Sequence, residues 1–379
     1  MTLFLLTYFF IYGGSHLYCL LRTKAAFRLK PGATLLLGVF MLAMVLAPIG
    51  MRLTEKAGHE QLAMILSYIG YTWMGLLFLF FAGSLAVDSY RMLVWLLGLL
   101  LKKNPTRVQL SARAAFFIAL VFALTVSVIG AFEAWDIRTE RVAISSARIP
   151  PGLGTVRVVQ ISDVHLGLIV RQKRLQKILQ AVKAAEPDLL VSTGDLVDGQ
   201  VSRLNGLAEI LQDIKPRFGK YAVTGNHEFY AGLDQSLAFT KQAGFTVLRN
   251  RGVEIADGLN IAGVDDPAGK RFGTARKISA KDVLKTLDRQ NYTLFLKHRP
   301  VVEPGTPGLF DLQLSGHTHK GQIFPFSIIT WLYFPIHWGC LNPVDHCYLY
   351  VSRGSGTWGP PIRFLSPPEV TLIELSAKK

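Results

Sequence analysis

Residues that can bind a metal ion or transfer a proton follow a series of short apolar runs in the C-terminal part of the chain. Five of the nine histidines lie just past such runs, in or near the strings SDVHLG, GDLVDG, GNHE and GHTH. A single Asp after a strand is more often a turn or capping residue, and a single His is more often part of the surface or core. The order of these motifs along the chain argues against a chance origin of the whole set of candidate residues. The set is Asp163, His165, Asp195, Asn226, His227, His298, His317 and His319.

These side chains offer a mixed set of oxygen and nitrogen ligands. Such a set suits two borderline divalent metals such as Mn²⁺, Fe²⁺ or Zn²⁺, and no cysteine lies near the motifs to form a thiolate zinc site. Two metals about 3.5–4 Å apart can hold a hydroxide for attack and bind the oxygens of an in-line displacement at phosphorus. Glycines next to the candidate ligands, Gly194, Gly225 and Gly316, permit the tight turns that this requires.

The elements that must position these residues are short strands alternating with helices. In the helix predicted over 174–182, Leu175, Ile178, Leu179 and Val182 share one face. Strands alternating with helices indicate an α/β domain with its sheet buried under helices, and ligands bind beyond the carboxyl ends of such strands. The predicted strands are residues 156–161, 188–193, 220–224, 259–264, 292–298 and 311–316.

The composition predicts that part of this chain is associated with a membrane. The sequence has 379 residues, 50% of them hydrophobic and only 18% charged, with a mean hydropathy of +0.32. These values exclude an intrinsically disordered chain, argue against a wholly soluble protein, and with three cysteines exclude a disulfide-stabilised miniprotein. The net charge of +15 is spread over both halves of the chain, so it does not indicate a nucleic-acid-binding patch.

The first third of the chain contains four uncharged runs of about the 20 residues that a helix needs to cross a bilayer. They predict a transmembrane helical domain over 1–134, a connecting segment over 135–154 and an α/β domain over 155–379. Residues 87–101 contain Asp88 and Arg91 and are predicted to form an interfacial helix that continues the third span. The uncharged runs are residues 2–21, 32–51, 62–86 and 114–132.

With four spans, nine positive residues fall on one side of the membrane and five on the other. The richer side is expected to be cytoplasmic, as in a bacterial cytoplasmic membrane, with the C-terminal domain extracytoplasmic. A fifth span over 87–101 would reverse this. No charge lies in the middle of a predicted span, which favours an anchor over a transporter. The nine are Arg22, Lys24, Arg28, Lys30, Arg91, Lys102, Lys103, Arg107 and Arg113; the five are Arg52, Lys56, Arg138, Arg141 and Arg148.

The motif order D-x-H, G-D-x-x-D, G-N-H-E, H and G-H-x-H resembles the calcineurin-like metallophosphoesterase superfamily over roughly residues 155–375. GVDDP, GHTHKGQI and YVSRGSGTWGPPIRF are similar to its membrane-associated or exported branch, which includes enzymes acting on phospholipid headgroups or on UDP-2,3-diacylglucosamine. The resemblance implies two packed β-sheets flanked by helices, an αββα sandwich.

The same resemblance implies roles for individual residues. One metal ion would be held by Asp163, His165, Asp195 and His319, and the other by the bridging Asp195 with Asn226, His298 and His317. A hydroxide bridging the metals would attack phosphorus. His227 would not be a ligand but would protonate the leaving oxygen or stabilise the transition state.

Three further polar residues near the motifs have two interpretations each. Lys320 stands where many relatives have Gly, and it either meets a substrate phosphate or points into solvent. Arg353 either approaches a phosphate, which suits a guanidinium, or is a surface residue on a strand. Asp198 is a turn or supporting residue rather than a ligand.

The cysteines Cys340 and Cys347 allow two outcomes. They could form a cross-strand disulfide if the domain faces an oxidising compartment, or they are two free thiols.

Residues 324–338 contain six aromatic side chains directly after the last metal motif. They either pack in the core or form an apolar lip that touches the bilayer or acyl chains. Together with the predicted membrane anchor and the net positive charge, these aromatic side chains favour a lipid-linked phosphate as substrate. The alternative is a membrane scaffold or sensor that keeps the fold without turnover.

Overall fold

The computed structural model describes residues 2–102, 108–199, 204, 206–256, 258–274, 278–344 and 347–378. The chain divides into two compact units. The first comprises Met1–Phe132 and Gly359–Ile362, and the second comprises Glu133–Trp358 and Arg363–Lys379. Lys103 and Arg107, which entered the charge comparison between the two sides of the membrane, lie outside the described residues.

The first unit is helical because its sequence is made of long apolar runs with few charges. Among the residues that the structure describes there, three helices are long and apolar enough to cross a membrane: α3, α4 and α5. The first predicted span is helical but divided, because a π-helical segment over Phe9–Gly13 separates two shorter α-helices. The helices are α1 (Thr2–Tyr8), α2 (Gly14–Phe27), α3 (Pro31–Lys56), α4 (Glu60–Leu100) and α5 (Ala112–Glu133).

Helix α4 continues the third predicted span without a break as far as Leu100. The interfacial position of residues 87–101 stays a prediction. The Asp88 carboxylate accepts hydrogen bonds from the Tyr18 hydroxyl at 2.5 Å and from Arg22 Nη1 at 2.8 Å. These partners on α2 satisfy the charge, so the helix is not interrupted where the sequence turns polar.

The second unit contains two six-stranded mixed sheets. The strand order is β1-β12-β2-β3-β4-β5 in the first sheet and β10-β11-β9-β8-β7-β6 in the second. All six predicted strands are present, as β2, β3, β4, β7, β8 and β9. The strands are β1 (Arg138–Ser146), β2 (Val156–Ile161), β3 (Leu189–Ser192), β4 (Lys220–Ala222), β5 (Thr246–Val247), β6 (Arg251–Ala256), β7 (Leu259–Gly263), β8 (Tyr292–Leu296), β9 (Leu312–Ser315), β10 (Gly339–Val344), β11 (Cys347–Val351) and β12 (Glu369–Ala377).

The segment predicted as a connection over 135–154 contains strand β1, which corrects that prediction. β1 pairs in parallel with β12 along its whole length, from Arg138 opposite Glu369 to Ser146 opposite Ala377. Its sequence, RTERVAISS, is polar and mostly exposed. Backbone pairing at the sheet edge therefore holds this strand, and backbone pairing leaves little trace in the hydropathy pattern.

Apolar side chains of both sheets meet in one core. This core includes Val158 and Val191 from the first sheet and Ile261, Leu294 and Leu314 from the second, all of them fully buried. β-Branched and leucine side chains facing each other across two sheets form the standard core of a two-sheet layer.

Helices cover the outer faces of the sheets. The predicted apolar face of α6 is confirmed, since Leu175, Ile178, Leu179 and Val182 are buried. On the second sheet, Val283 and Leu284 of α10 pack with Phe295 of β8. The helices are α6 (Gln172–Ala184), α7 (Leu207–Gln212), α8 (Asn226–Ala231), α9 (Leu233–Gln242), α10 (Ala280–Lys285) and α11 (Phe326–Tyr333).

Replacing a side chain between the sheets should destabilise the second unit. Ile261→Ala removes buried methyl groups where the close-packed sheets cannot collapse, so we expect a loss of about 2–5 kcal/mol in unfolding free energy. Thermal unfolding of the full chain in detergent measures it. Ile278→Ala, at a position 46% exposed, is the matched control and should change stability by less than about 0.5 kcal/mol. Equal melting temperatures for the two variants would contradict the assigned core.

Candidate metal centre

The predicted ligands lie in loops that leave the carboxyl ends of parallel strands. Asp163 and His165 follow β2, and Asp195 follows β3 in the same sheet. His298 follows β8, and the GHTH loop follows β9 in the other sheet. Because β2, β3 and β4 are parallel and β8 and β9 are parallel, each set of loops leaves its sheet at one edge. The structure brings all seven predicted ligands into one cluster, in which six are buried and His317 is partly buried.

One group of possible ligands consists of Asp163, His165 and His319. Their ligand atoms lie within 4.8 Å of one another. Nε2 of His165 is 3.1 Å from Nε2 of His319, and the latter atom is 3.6 Å from Oδ1 of Asp163. Two imidazole nitrogens and a carboxylate oxygen at this spacing fit a divalent cation.

The second group consists of Asp195, His298 and His317. Nε2 of His298 lies 3.2 Å from Oδ2 of Asp195 and 3.1 Å from Nδ1 of His317. The predicted ligand Asn226 joins this group, since its Oδ1 is 3.3 Å from the same His298 nitrogen. Oδ2 of Asp195 is also 3.8 Å from Nε2 of His165, so this carboxylate lies between the two groups, where a bridging ligand is expected.

His227 lies beside the cluster. Its ring is edge-on to His165, with centroids 4.6 Å apart, and its Nδ1 is 3.1 Å from Oδ1 of Asp198. The Asp198 carboxylate therefore supports the His227 ring. The sequence predicted such a supporting role for Asp198. His165, Asp195 and His227 also form a third group within metal-binding distance, so His227 borders both groups of predicted ligands.

Left-handed backbone conformations orient several of these side chains. Asp163, His165, Asp195, His317 and His319 all have positive φ, between 47° and 73°. A non-glycine residue in this left-handed region costs roughly 1–3 kcal/mol, so such residues persist only where their surroundings fix them. Concentration of this strain at five of the seven predicted ligands marks the cluster as a functional centre.

The protonation of the histidines is set by burial and by Asp195. Burial lowers the pKa of His165 and of His317 to about 3, so both rings are neutral, which is the form that binds metal. Burial would also lower the pKa of His298, but the Asp195 carboxylate outweighs it and raises the pKa to about 10. His298 Nδ1 lies 2.8 Å from the Thr193 carbonyl oxygen and donates to it. The proton on Nε2, facing Asp195, is the one that a cation would displace.

Glu228, which closes the GNHE motif, is a supporting residue to which the sequence interpretation gave no role. Its buried carboxylate accepts hydrogen bonds from the backbone N–H groups of Gly225 at 2.6 Å, Leu196 at 2.7 Å and Asp195 at 3.0 Å. It thereby ties the loop after β3 to the start of α8. The signal available in the sequence was an acidic residue at the third position of a helix, where its carboxylate accepts from the N–H of the N-cap residue, Gly225.

Arg363 is a second residue that the sequence interpretation missed. It is fully buried and donates to the carbonyl oxygens of Gly356 at 2.6 Å and Arg353 at 2.6 Å. Its Nη2 also lies 3.0 Å from Nδ1 of His319, which leaves Nε2 of that ring directed at the cluster. A buried guanidinium satisfied by carbonyl groups fixes the loop that surrounds His319. The sequence pattern gave no signal for it beyond the string PPIRF.

The structure agrees with neither predicted interpretation of Arg353, as a phosphate contact or as a surface residue on a strand. Arg353 is buried, forms an ion pair with Glu140, and has Nε 2.7 Å from Oε2 of Glu369. Two carboxylates on β1 and β12 hold the guanidinium, so it is neither a phosphate contact nor an exposed strand residue. Its partner on β1 lies in the segment that was predicted as a connection, which explains why the sequence did not reveal the pair.

Lys320 is held by an aromatic ring. Its Nζ lies 4.1 Å from the centroid of Trp338, a cation–π contact, and burial lowers its pKa. The side chain therefore does not simply point into solvent.

Neither Cys340 nor Cys347 is in a disulfide. In the hairpin register Cys340 pairs with Tyr350 and Cys347 pairs with Val344, so the two thiols are not cross-strand neighbours.

Exposed aromatic side chains surround the predicted acid. The Tyr230 and Trp358 rings lie 5.3 Å and 5.9 Å from the ring of His227, and Phe272 lies 6.0 Å from Tyr230. All three are at least half exposed. On the other side of the cluster, the Phe334 ring lies 5.4 Å from that of His317. Apolar surface therefore borders the polar cluster.

Comparison with known proteins gives a consistent result. Residues 156–321 match the model of the calcineurin-like phosphoesterase family. An uncharacterized metallophosphoesterase of Aquifex aeolicus is 41% identical over 248 residues, which covers 65% of this chain and 94% of that protein. A protein of Danio rerio described as a transmembrane protein with metallophosphoesterase domain is 32% identical over 295 residues, covering 74% and 67%.

A third relative, an uncharacterized metallophosphoesterase of Campylobacter jejuni, is 31% identical over 325 residues and covers 82% of this chain and 84% of that protein. The three long apolar helices, together with relatives named as transmembrane proteins, indicate membrane association. The groups of His and Asp residues agree with the similarity, which covers 67–94% of the length of these relatives: the chain belongs to the calcineurin-like phosphoesterase family and is a metal-dependent phosphoesterase.

Proposed function

We propose that this protein is a multi-pass membrane enzyme that uses two divalent metal ions to hydrolyse a phosphoester or pyrophosphate bond of a lipid-linked substrate. The observation that carries the proposal is the arrangement of two ligand groups around one shared carboxylate, that of Asp195, with His227 beside them. We further propose that the catalytic unit is extracytoplasmic, on the charge distribution among the helix-flanking residues.

The residues fit two metals by chemistry and by position. Asp163, His165 and His319 would hold one ion, Asn226, His298 and His317 would hold the other, and Asp195 would contact both. Such ions, when bound, lower the pKa of water and neutralise charge on phosphoryl oxygens. The mixed ligand set suits Mn²⁺, Fe²⁺ or Zn²⁺.

His227 is placed to protonate the leaving oxygen. Burial would lower its pKa, but nearby carboxylates raise it to about 9, and one of them, Asp198, is not assigned to a metal and would still favour the protonated ring with ions bound. Asp198 accepts from Nδ1 and orients the ring, which leaves Nε2 as the nitrogen that gives a proton to the substrate. A positioned acid of this kind contributes about 10²–10⁴-fold to a rate.

Two apolar features of the chain support a lipid-linked substrate. The chain has helices long enough to cross a membrane, so the enzyme meets lipid headgroups at high local concentration. Exposed Tyr230, Phe272 and Trp358 border His227, where the leaving group of the substrate must lie. Aromatic side chains offer apolar contact to a leaving group that carries acyl or prenyl chains.

Asp195→Asn should abolish metal-dependent hydrolysis. The substitution keeps the size of the side chain but removes the shared negative charge, so both ions lose a ligand. After chelation, added Mn²⁺ should restore the activity of the native enzyme and not that of the variant, and the variant should bind Mn²⁺ more weakly by calorimetry. Glu209→Gln, an acidic residue on α7 outside the cluster, is the matched control and should behave as the native enzyme. Full activity of the Asp195 variant would show that the assignment of this carboxylate is wrong.

His227→Ala should lower kcat by about 10²–10⁴-fold while leaving metal affinity nearly unchanged, because the ring is assigned to proton transfer and not to a metal. Turnover of a diester whose leaving group needs no protonation, such as p-nitrophenolate, should fall less than turnover of an alkyl diester. Equal losses on the two substrates, together with weakened metal binding, would instead make His227 a ligand.

The lipid preference is tested by comparing phospholipid or prenyl pyrophosphate in mixed micelles with a soluble chromogenic diester. We expect kcat/KM to be at least about tenfold higher for the lipid substrate, since about 1.4 kcal/mol of added apolar contact gives that factor. Equal kcat/KM values for both would remove the lipid assignment and leave the phosphoesterase activity.

A further inference from the structure

Helix α11 exposes its large apolar side chains by 46% to 78%. Its sequence, FSIITWLY, carries no charge, and Thr330 is its one buried residue. Trp331 is 52% exposed, Leu332 69% and Tyr333 78%. An apolar patch of this kind on a folded domain marks a surface that contacts a membrane or another apolar partner.

Hydrogen bonds within the second unit connect the start of this helix to Glu133, the residue with which that unit begins. The carboxylate of Glu133, the last residue of α5, accepts from the backbone N–H of Leu365 at 3.2 Å and of Ser366 at 2.7 Å. The preceding residue, Phe364, accepts at its carbonyl oxygen from the N–H of Phe324 at 3.1 Å. Helix α11 begins two residues after Phe324.

The connection between the end of α5 and strand β1 is short. Four residues separate the end of α5 at Glu133 from the start of β1 at Arg138. At about 3.5 Å per residue they span at most roughly 14–18 Å. The unit that carries α11 therefore follows a helix of membrane-crossing length after a short connection in the chain.

The composition of the exposed surface fits the interfacial layer of a bilayer. Trp and Tyr prefer the level of the headgroups, and Ile and Leu prefer the hydrocarbon below it. Helix α11 carries Trp331 and Tyr333 together with Ile328, Ile329 and Leu332. Lys320, held over Trp338 next to this helix, adds a cation suited to anionic headgroups.

The same helix leads directly to the metal centre. It starts seven residues after His319, and Phe334, which follows its last residue, has its ring 5.4 Å from that of His317. The hydroxyl of Thr318 between the two histidines donates to the carbonyl oxygen of His337 at 2.7 Å. A surface that enters lipid at α11 is therefore continuous with the loop that carries two predicted ligands.

We propose that α11 lies in the plane of the bilayer interface, with Ile329, Leu332 and Tyr333 in lipid, and that it presents the metal centre to phosphates at the headgroup level. The location of α11 does not require the lipid substrate; only its purpose rests on the proposed function.

Site-directed spin labelling of the full chain in nanodiscs of phosphatidylethanolamine and phosphatidylglycerol tests this location. Single labels are placed by Leu332→Cys and, separately, Tyr333→Cys, on a Cys340→Ser background that removes an exposed native thiol. Lys241→Cys on α9 of the same unit is the matched control, also at an exposed helical position. Power saturation compares collisions with oxygen, which dissolves in lipid, and with a water-soluble nickel chelate.

We expect the labels at 332 and 333 to collide mainly with oxygen and to lose contact with nickel, and the label at 241 to do the reverse. Nickel contact at 332 and 333 equal to that at 241 would overturn the proposal. Labels in lipid without turnover of lipid-linked phosphates would leave α11 in the interface and remove only the proposed substrate. Turnover of such lipids with both labels in water would overturn the location of α11 and leave the proposed substrate standing.

Discussion

The carboxylate of Asp195 is the contact on which both groups of predicted ligands depend. It is buried, and one of its oxygens lies 3.2 Å from His298 and 3.8 Å from His165. The adjacent histidines His298 and His227 hold its pKa well below the usual value even though burial opposes ionisation. A buried anion surrounded by imidazoles is stable only if cations compensate it, and divalent ions do so without requiring any ring to be protonated.

Much of the surrounding structure keeps that carboxylate in place. Glu228 accepts from the N–H groups of Asp195 and Leu196 in the loop after β3, and Oδ1 of Asp195 accepts from the N–H of His227 at 2.8 Å. Asp163 similarly accepts from the N–H of His317 at 3.0 Å, which connects loops of the two sheets. The left-handed conformations at the ligand positions show that this network, and not local preference, sets the geometry.

The sequence predicted the parts of this structure that leave a periodic or compositional signal. Buried strands such as β2 and β8 are short runs rich in apolar and β-branched residues, and the polar residues that follow them identified the cluster. Strand β1 is polar and held by backbone pairing, so it was assigned to a connection, and its Glu140 could not be foreseen as the partner of Arg353. The roles of Glu228 and Arg363 depend on which backbone groups come within reach, which follows only from the tertiary fold.

The central claim is that seven side chains from two sheets form one site for two ions that share Asp195. It is tested most directly by elemental analysis of the purified full chain, combined with anomalous scattering from crystals. The account predicts two ions per chain, one among Asp163, His165 and His319 and one among Asn226, His298 and His317, with Asp195 contacting both. Scattering peaks elsewhere in the chain, or a single ion bound without Asp195, would contradict it.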